Sequence, residues 1–262
     1  MVSALQRCTS LYGTPTMFID MLAVARREEA VLPHLHTGLM AGAPCPEELC
    51  RCPLPTTSAP RAVVEELGMK DFVVAYGMTE TSPVTFQGFP GDDMELKTGT
   101  VGFPLDHQEV KVVDPEGRTV AVGEVGELCT RGYSTMLGYW GDEAHTREVL
   151  GSDGWMHTGD TAVLTEQGYG RVVGRMKDMI IRGGENIYPR EVEEFLHTHP
   201  AIAEVQAIGV PDTRCRSNKR TEPRLGEELA VWVRLREDGG AVSEEEVREF
   251  CKGSLAHFKI PR

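Results

Sequence analysis

Helical and extended apolar patterns alternate through the first third of the chain. In "GTPTMFIDMLAVARREEA", Met17, Phe18, Met21, Leu22 and Ala25 recur at helical spacing. Thr14 is placed to N-cap that helix and Pro15 to open it. "LHTGLMAGAP" then reads as a buried strand closing on a small-residue loop, Ala41-Gly42-Ala43-Pro44. "ELCRCPLPTTSAPRA" is rich in Pro, Ser and Thr and predicts irregular chain. "AVVEELG" returns to a helix that stops at Gly68, and "DFVVAYG" is a short apolar strand. Helix, strand, helix, strand in this order predicts an α/β layer with a mostly parallel sheet up to about residue 98.

The period then changes. "HQEVKVVDPEGRTVAVGEVGELCTRG" alternates on either side of the turn Asp114-Pro115-Glu116-Gly117, which predicts a hairpin. Glycine-rich β structure continues to "GYGRVVGR", as a β-barrel or a twisted antiparallel sheet. After "GRMKD" it changes again. "MIIRGG" is a strand entering a glycine turn, and "YPREVEEFLHTHP" is a helix with Pro189 at its start and Pro200 past its end. "AEVQAIGV" and "ELAVWVRL" are strands, and Ser243 and Glu246 form a capping box for a last helix. The expected organisation is α/β plus a β-rich subdomain over 1–176, followed by a small α+β domain over 177–262.

Composition narrows the function. A length of 262 residues is enough to bury a core unaided, and the net charge is −13. So acidic a chain repels phosphate backbones and anionic membranes, which argues against nucleic-acid and membrane-surface roles. No apolar run approaches a membrane span, and "MVSALQRCTSLYGTP" is not a convincing targeting segment. Seven cysteines at irregular spacing fit reduced thiols. His34, His36, Cys45, Cys50 and Cys52 cluster without the paired spacing of a zinc site, and read as a loop that happens to hold thiols.

Three motifs carry candidate chemistry. In "AYGMTETSP" a strand ends at Tyr76 and a glycine turn presents Thr79 and Glu80, a hydroxyl and a carboxylate suited to phosphate and magnesium. A polar turn capping the next segment explains the same residues. In "WMHTGD", Asp160 follows a tight turn. There it is either a plain turn residue or a carboxylate for the two hydroxyls of a ribose. In "GRMKDMIIRGGENIYPREVE", Arg175 is able to reach a ribose or phosphate, and Gly183-Gly184 permits close approach of a ligand.

Together and in this order, the motifs resemble the ANL superfamily of adenylate-forming enzymes. "YGMTE", "GEVGELCTRGYSTMLGYW", "WMHTGD", "GRMKDMIIRGGENIYPREVE" and "HPAIAEVQAIGVPD" carry the resemblance over nearly the whole chain. "GENIYP" and "AYGMTETSPVTF" are most similar to its medium-chain fatty acyl-CoA ligases, enzymes of the mitochondrial matrix. The resemblance implies ATP, magnesium and coenzyme A as cofactor and substrates, a fatty acid as the other substrate, and reaction through an acyl-adenylate. It places Gly42, Ala43 and Pro44 on adenine, and Tyr76, Gly77 and Met78 along the nucleotide. Thr79 falls at the α-phosphate and Glu80 at magnesium. Asp160 and Arg175 fall at the ribose, Lys177 at a hinge, and Gly184 where pantetheine passes.

The sequence also departs from the family. The phosphate loop ending in Pro-Lys-Gly and the Gly-Lys pair expected beyond "HFKIPR" have no counterpart here. The resemblance thus implies a chain truncated at both ends, inactive alone and poorly soluble. An alternative is a non-catalytic nucleotide-binding or interaction fragment of such an enzyme. "CRCPLPTTSAPRAVV" stands where relatives carry a regular helix. "RCRSNKRTEPR", residues 214–224, is polar and aperiodic and predicts a disordered insertion.

Overall fold

A computed structural model describes residues 7–42, 59–211, 226–236 and 240–262, with backbone alone for 59–62. The chain divides into two compact units, Met1–Val172 and Val173–Arg262. Residues 48–58 of the stretch expected to be irregular, and the 214–224 insertion, lie outside the described residues.

The first unit opens with β1 (Ser10–Gly13), α1 (Pro15–Arg27), β2 (Thr37–Met40), α2 (Ala59–Glu66) and β3 (Asp71–Tyr76). The three strands are parallel neighbours. Thr14 caps α1, its hydroxyl accepting from Met17 N, and Pro15 sits at the first helical position. Phe18 and Leu22 bury the inner face of α1 against Met40, Met69 and Phe72, and Phe18 meets Phe72 edge-on at 5.5 Å. Met17, expected on that stripe, is 51% exposed; Pro15 is buried beside Phe18 in its stead. β1 was not legible because its four residues carry no alternation long enough to read. α2 begins at Ala59, inside the segment expected to be irregular.

Two short antiparallel strands, β4 (Phe86–Gln87) and β5 (Phe103–Pro104), extend this sheet beyond β3, with α3 (Met94–Gly99) between them. The β-rich section is an open four-stranded sheet and not a barrel. It runs in order β6 (Gln108–Val113), β7 (Gly126–Gly132), β8 (Met156–Leu164) and β9 (Gly170–Arg175). The hairpin from β6 to β7 turns where the sequence placed it. Asp114 Oδ1 accepts from the backbone of Glu116 and Arg118. α4 (Glu143–Val149) lies between β7 and β8. Phe86, Val112, Leu128 and Ala162 close a core between the sheets.

The second unit contains two antiparallel pairs, β10 (Ile180–Arg182) with β11 (Glu185–Ile187), and β12 (Ile202–Pro211) with β13 (Glu227–Leu235). α5 (Pro189–His197) and α6 (Glu244–Cys251) cover a core that includes Ile187, Leu196, Ile202 and Leu229. Ser243 and Glu246 form the expected capping box on α6. The segment after α6 is tied down by a partly buried cation. Arg182 donates to the carbonyls of Phe258 and Ile260, at 2.7 and 3.0 Å, and pairs with Glu228 at 2.9 Å.

Candidate functional site

β2 and β3 run parallel in register, Met40 opposite Val74, so the residues two positions past that pair, Gly42 and Tyr76, share one end of the sheet. Ligands of α/β sheets gather at such carboxyl ends. Gly42 takes a φ of +84° and is exposed. Ala43 and Pro44 lie outside the described residues.

β3 ends in a turn with no room for a side chain. A Cβ on Gly77 would stand 1.9 Å from the carbonyl oxygen of Pro83 and 2.7 Å from Val84 Cα. The chain then closes a single 3-10 turn, Thr79–Thr81. Met78 N donates to the Thr81 hydroxyl, and that hydroxyl donates to the Met78 carbonyl, both at 3.1 Å. Thr81 is fully buried and holds the turn, leaving Thr79 outward.

Glu80 is gripped by a segment 59 residues further on. Tyr139 Oη donates to Glu80 Oε1 at 2.8 Å, and Met136 N donates to the Glu80 carbonyl at 2.8 Å. Tyr139 stacks on His145 at 4.6 Å. Burial, and then the Glu80 carboxylate, push the Tyr139 phenol up. Sequence reasoning missed Tyr139; the signal was its place in "LGYW", one of the motifs already singled out.

Asp160 reaches the same place from the other sheet. On β7 the register passes from Glu127 to Cys129 while on β8 it passes from Thr161 to His157, so β8 bulges at Thr158-Gly159-Asp160. Gly159 adopts φ +70°, the left-handed region that favours glycine. Thr158 Oγ1 donates to the Leu128 carbonyl and accepts from Asp160 N. The bulge turns Asp160 inward to 6% exposure, where Tyr76 Oη donates to Asp160 Oδ2 at 2.6 Å. Tyr76 in turn meets Phe86 edge-on at 6.1 Å.

Thus Tyr76, Thr79, Glu80 and Asp160, drawn from two motifs far apart in sequence, stand around one sheet end. An aromatic ring, a hydroxyl and two carboxylates so arranged suit a nucleoside with a phosphate. Arg175, Lys177 and Gly184 belong to the second unit. Arg175 ends β9, Lys177 lies in the 3-10 turn Met176–Asp178, and Gly184 takes φ +92° in the turn between β10 and β11. All three are exposed. Among the described residues no helix is long and apolar enough to cross a membrane.

The sequence pattern of the AMP-binding enzyme family matches residues 4–140, and that of the AMP-binding enzyme C-terminal domain matches 191–262. A putative acyl-CoA synthetase of Bacillus subtilis, YngI, is 48% identical over 98% of this chain, which covers 43% of that protein. The human mitochondrial medium-chain acyl-CoA ligase ACSF2 is 46% identical over 98% of this chain and 38% of its own length. The chain therefore spans about two fifths of the curated relatives it matches. Among solved structures, ATP-bound MatB of Rhodopseudomonas palustris aligns over all of this chain and 47% of its own, with a TM-score of 0.83 at 29% identity. The o-succinylbenzoate CoA synthetase of Bacillus subtilis, in complex with its acyl-adenylate, aligns over 99% of this chain and 47% of its own, with a TM-score of 0.77 at 31% identity.

Proposed function

We propose that this chain, which belongs to the AMP-binding enzyme family, carries the nucleotide site and the mobile domain of a medium-chain fatty acid–CoA ligase. In that reaction ATP and a carboxylate give an acyl-adenylate and diphosphate. A CoA thiol then attacks the mixed anhydride and AMP leaves. Activation is needed because a carboxylate oxygen leaves poorly, whereas AMP leaves readily.

The carrying observation is the Tyr76–Asp160 contact, which sets a buried carboxylate beside an aromatic ring at the end of a parallel sheet. In our reading Asp160 accepts the ribose hydroxyls, and Tyr76, Gly77 and Met78 line the nucleotide with Gly42, Ala43 and Pro44 on the adenine side. Thr79 meets the α-phosphate. The hard oxygen donors of Glu80 and Thr79 suit magnesium, which keeps much of its shell for water and phosphate. Bound there, it would offset phosphate charge. Arg175 reaches the ribose, Lys177 is the hinge between a large domain over 1–176 and a small one over 177–262, and Gly184 leaves a path for pantetheine. We place the protein in the mitochondrial matrix; the human relative's name supports a mitochondrial location, and imaging of a tagged protein tests the compartment.

A hydrolysis-resistant octanoyl-adenylate analogue tests the reading. It should bind the chain more tightly than AMP, and Asp160→Ala should weaken it at least tenfold. Equal binding by wild type and variant, or preference for a short aromatic acyl group, would overturn the assignment.

A further inference from the structure

β7 and β8 gather a second set of chemistry-bearing side chains that the nucleotide reading does not use. Glu127 and Cys129 are two apart on β7 and so project from one face. Cys129 pairs in register with His157 of β8. His157 Nδ1 lies 2.8 Å from Glu127 Oε2 and 3.5 Å from Cys129 Sγ. All three potential ligand atoms fall within 4.8 Å of one another. The thiol is fully buried, while the imidazole and carboxylate retain 41% and 20% exposure, so the trio opens on one side.

We propose that Glu127, Cys129 and His157 form a binding site for a thiophilic divalent cation of the zinc type, with three protein ligands and a fourth position facing solvent. The dimensions agree. Zinc bonds of about 2.3 Å to sulfur and about 2.0 Å to nitrogen, held tetrahedrally, separate those atoms by about 3.5 Å. The nitrogen-to-oxygen distance would open by roughly half an ångström, within reach of a partly exposed glutamate. Thiolate with imidazole selects against magnesium and calcium, which take oxygen shells. This site is therefore chemically separate from the one assigned to Glu80.

The surroundings hold the ligands in place. Glu127 Oε1 accepts from Gly159 N at 3.2 Å, leaving Oε2 toward His157. Such a contact fixes the orientation of a ligating carboxylate. Glu127 and His157 flank the bulge that presents Asp160, so a cation would bridge the two strands across it and stiffen it. Without a cation, the same three side chains form an ordinary hydrogen-bonded cluster, and the sulfur is what separates the two cases.

Cobalt(II) titration of the metal-free chain is the test. One equivalent should bind with a thiolate-to-cobalt charge-transfer absorption in the near ultraviolet and tetrahedral visible bands, and zinc should displace it. Cys129→Ser should abolish the charge-transfer band, and His157→Gln should weaken binding at least tenfold. A variant with Cys45, Cys50 and Cys52 all changed to Ser should keep the wild-type spectrum. Should Cys129→Ser fail to fold, the more exposed His157→Gln still decides. No charge-transfer band in wild type, a band unchanged in His157→Gln, or a band lost in the triple variant would each overturn the proposal. The titration uses no nucleotide, so its failure leaves the ligase reading untouched.

Discussion

Replacing Tyr76 by Phe removes one oxygen and little else. The ring keeps its edge contact with Phe86, but Asp160 loses a donor at 2.6 Å in a place where it is only 6% exposed. Hydrogen bonds to charged groups contribute about 1.5–3 kcal/mol, and a buried acceptor left short of a donor costs at the upper part of that range. Tyr76 is itself partly exposed, so water recovers some of the loss. A cost of about 2 kcal/mol follows. In a unit of this size that lowers Tm by roughly 4–8 °C. The loosened carboxylate should also bind AMP about tenfold less tightly, equivalent to about 1.4 kcal/mol. Thermal denaturation and calorimetric titration of Tyr76→Phe, Asp160→Asn and the double variant measure both effects. The double-variant cycle should give a coupling above about 1 kcal/mol. Coupling below about 0.3 kcal/mol, with AMP affinity unchanged in Tyr76→Phe, would show that the two side chains do not form one site.

Gly77→Ala forces a Cβ into the Pro83 carbonyl, so nucleotide binding should fall by more than tenfold while the second unit's transition is unchanged; normal AMP titration would refute the tight turn. Tyr139→Phe frees Glu80 and should weaken ATP with magnesium more than AMP without it, as separate titrations would show. Arg182→Ala takes one guanidinium from Glu228, which is only 13% exposed and also pairs with Arg262, and it detaches the carbonyls of Phe258 and Ile260. Breaking such a pair costs about 3 kcal/mol. The second unit's Tm should drop by more than about 10 °C on calorimetry. Burial raises the Glu193 carboxyl above its ordinary value, so the folded state holds its proton more tightly than the unfolded chain. Its contribution is therefore present at acid pH and is lost as pH rises through the raised folded value. Glu193→Gln should raise the Tm of the second unit at pH 7 and make little difference at pH 4.

How far the sequence carried the fold depended on how local each signal was. α1 and α6 were legible because Thr14, Pro15 and the Ser243–Glu246 box act within one turn. β1 was not, since it becomes a strand only by pairing with β2, an interaction outside any short window. The choice between barrel and open sheet likewise depends on how strands close, which alternation does not encode. At the site, Tyr76, Thr79, Glu80 and Asp160 were singled out by motif, but the Tyr76–Asp160 bond spans 84 residues and the Tyr139–Glu80 bond 59. The Cys129–His157 pair was invisible for a further reason. It arises from cross-strand register at a bulge, and a one-residue slip would send the two side chains to opposite faces.

A structure of the chain with AMP tests the central claim most directly. The account predicts the ribose hydroxyls on the Asp160 carboxylate, the adenine at the Tyr76 end of β3 and the phosphate at Thr79. AMP bound elsewhere, or at this sheet end with its ribose turned away from Asp160, would contradict it.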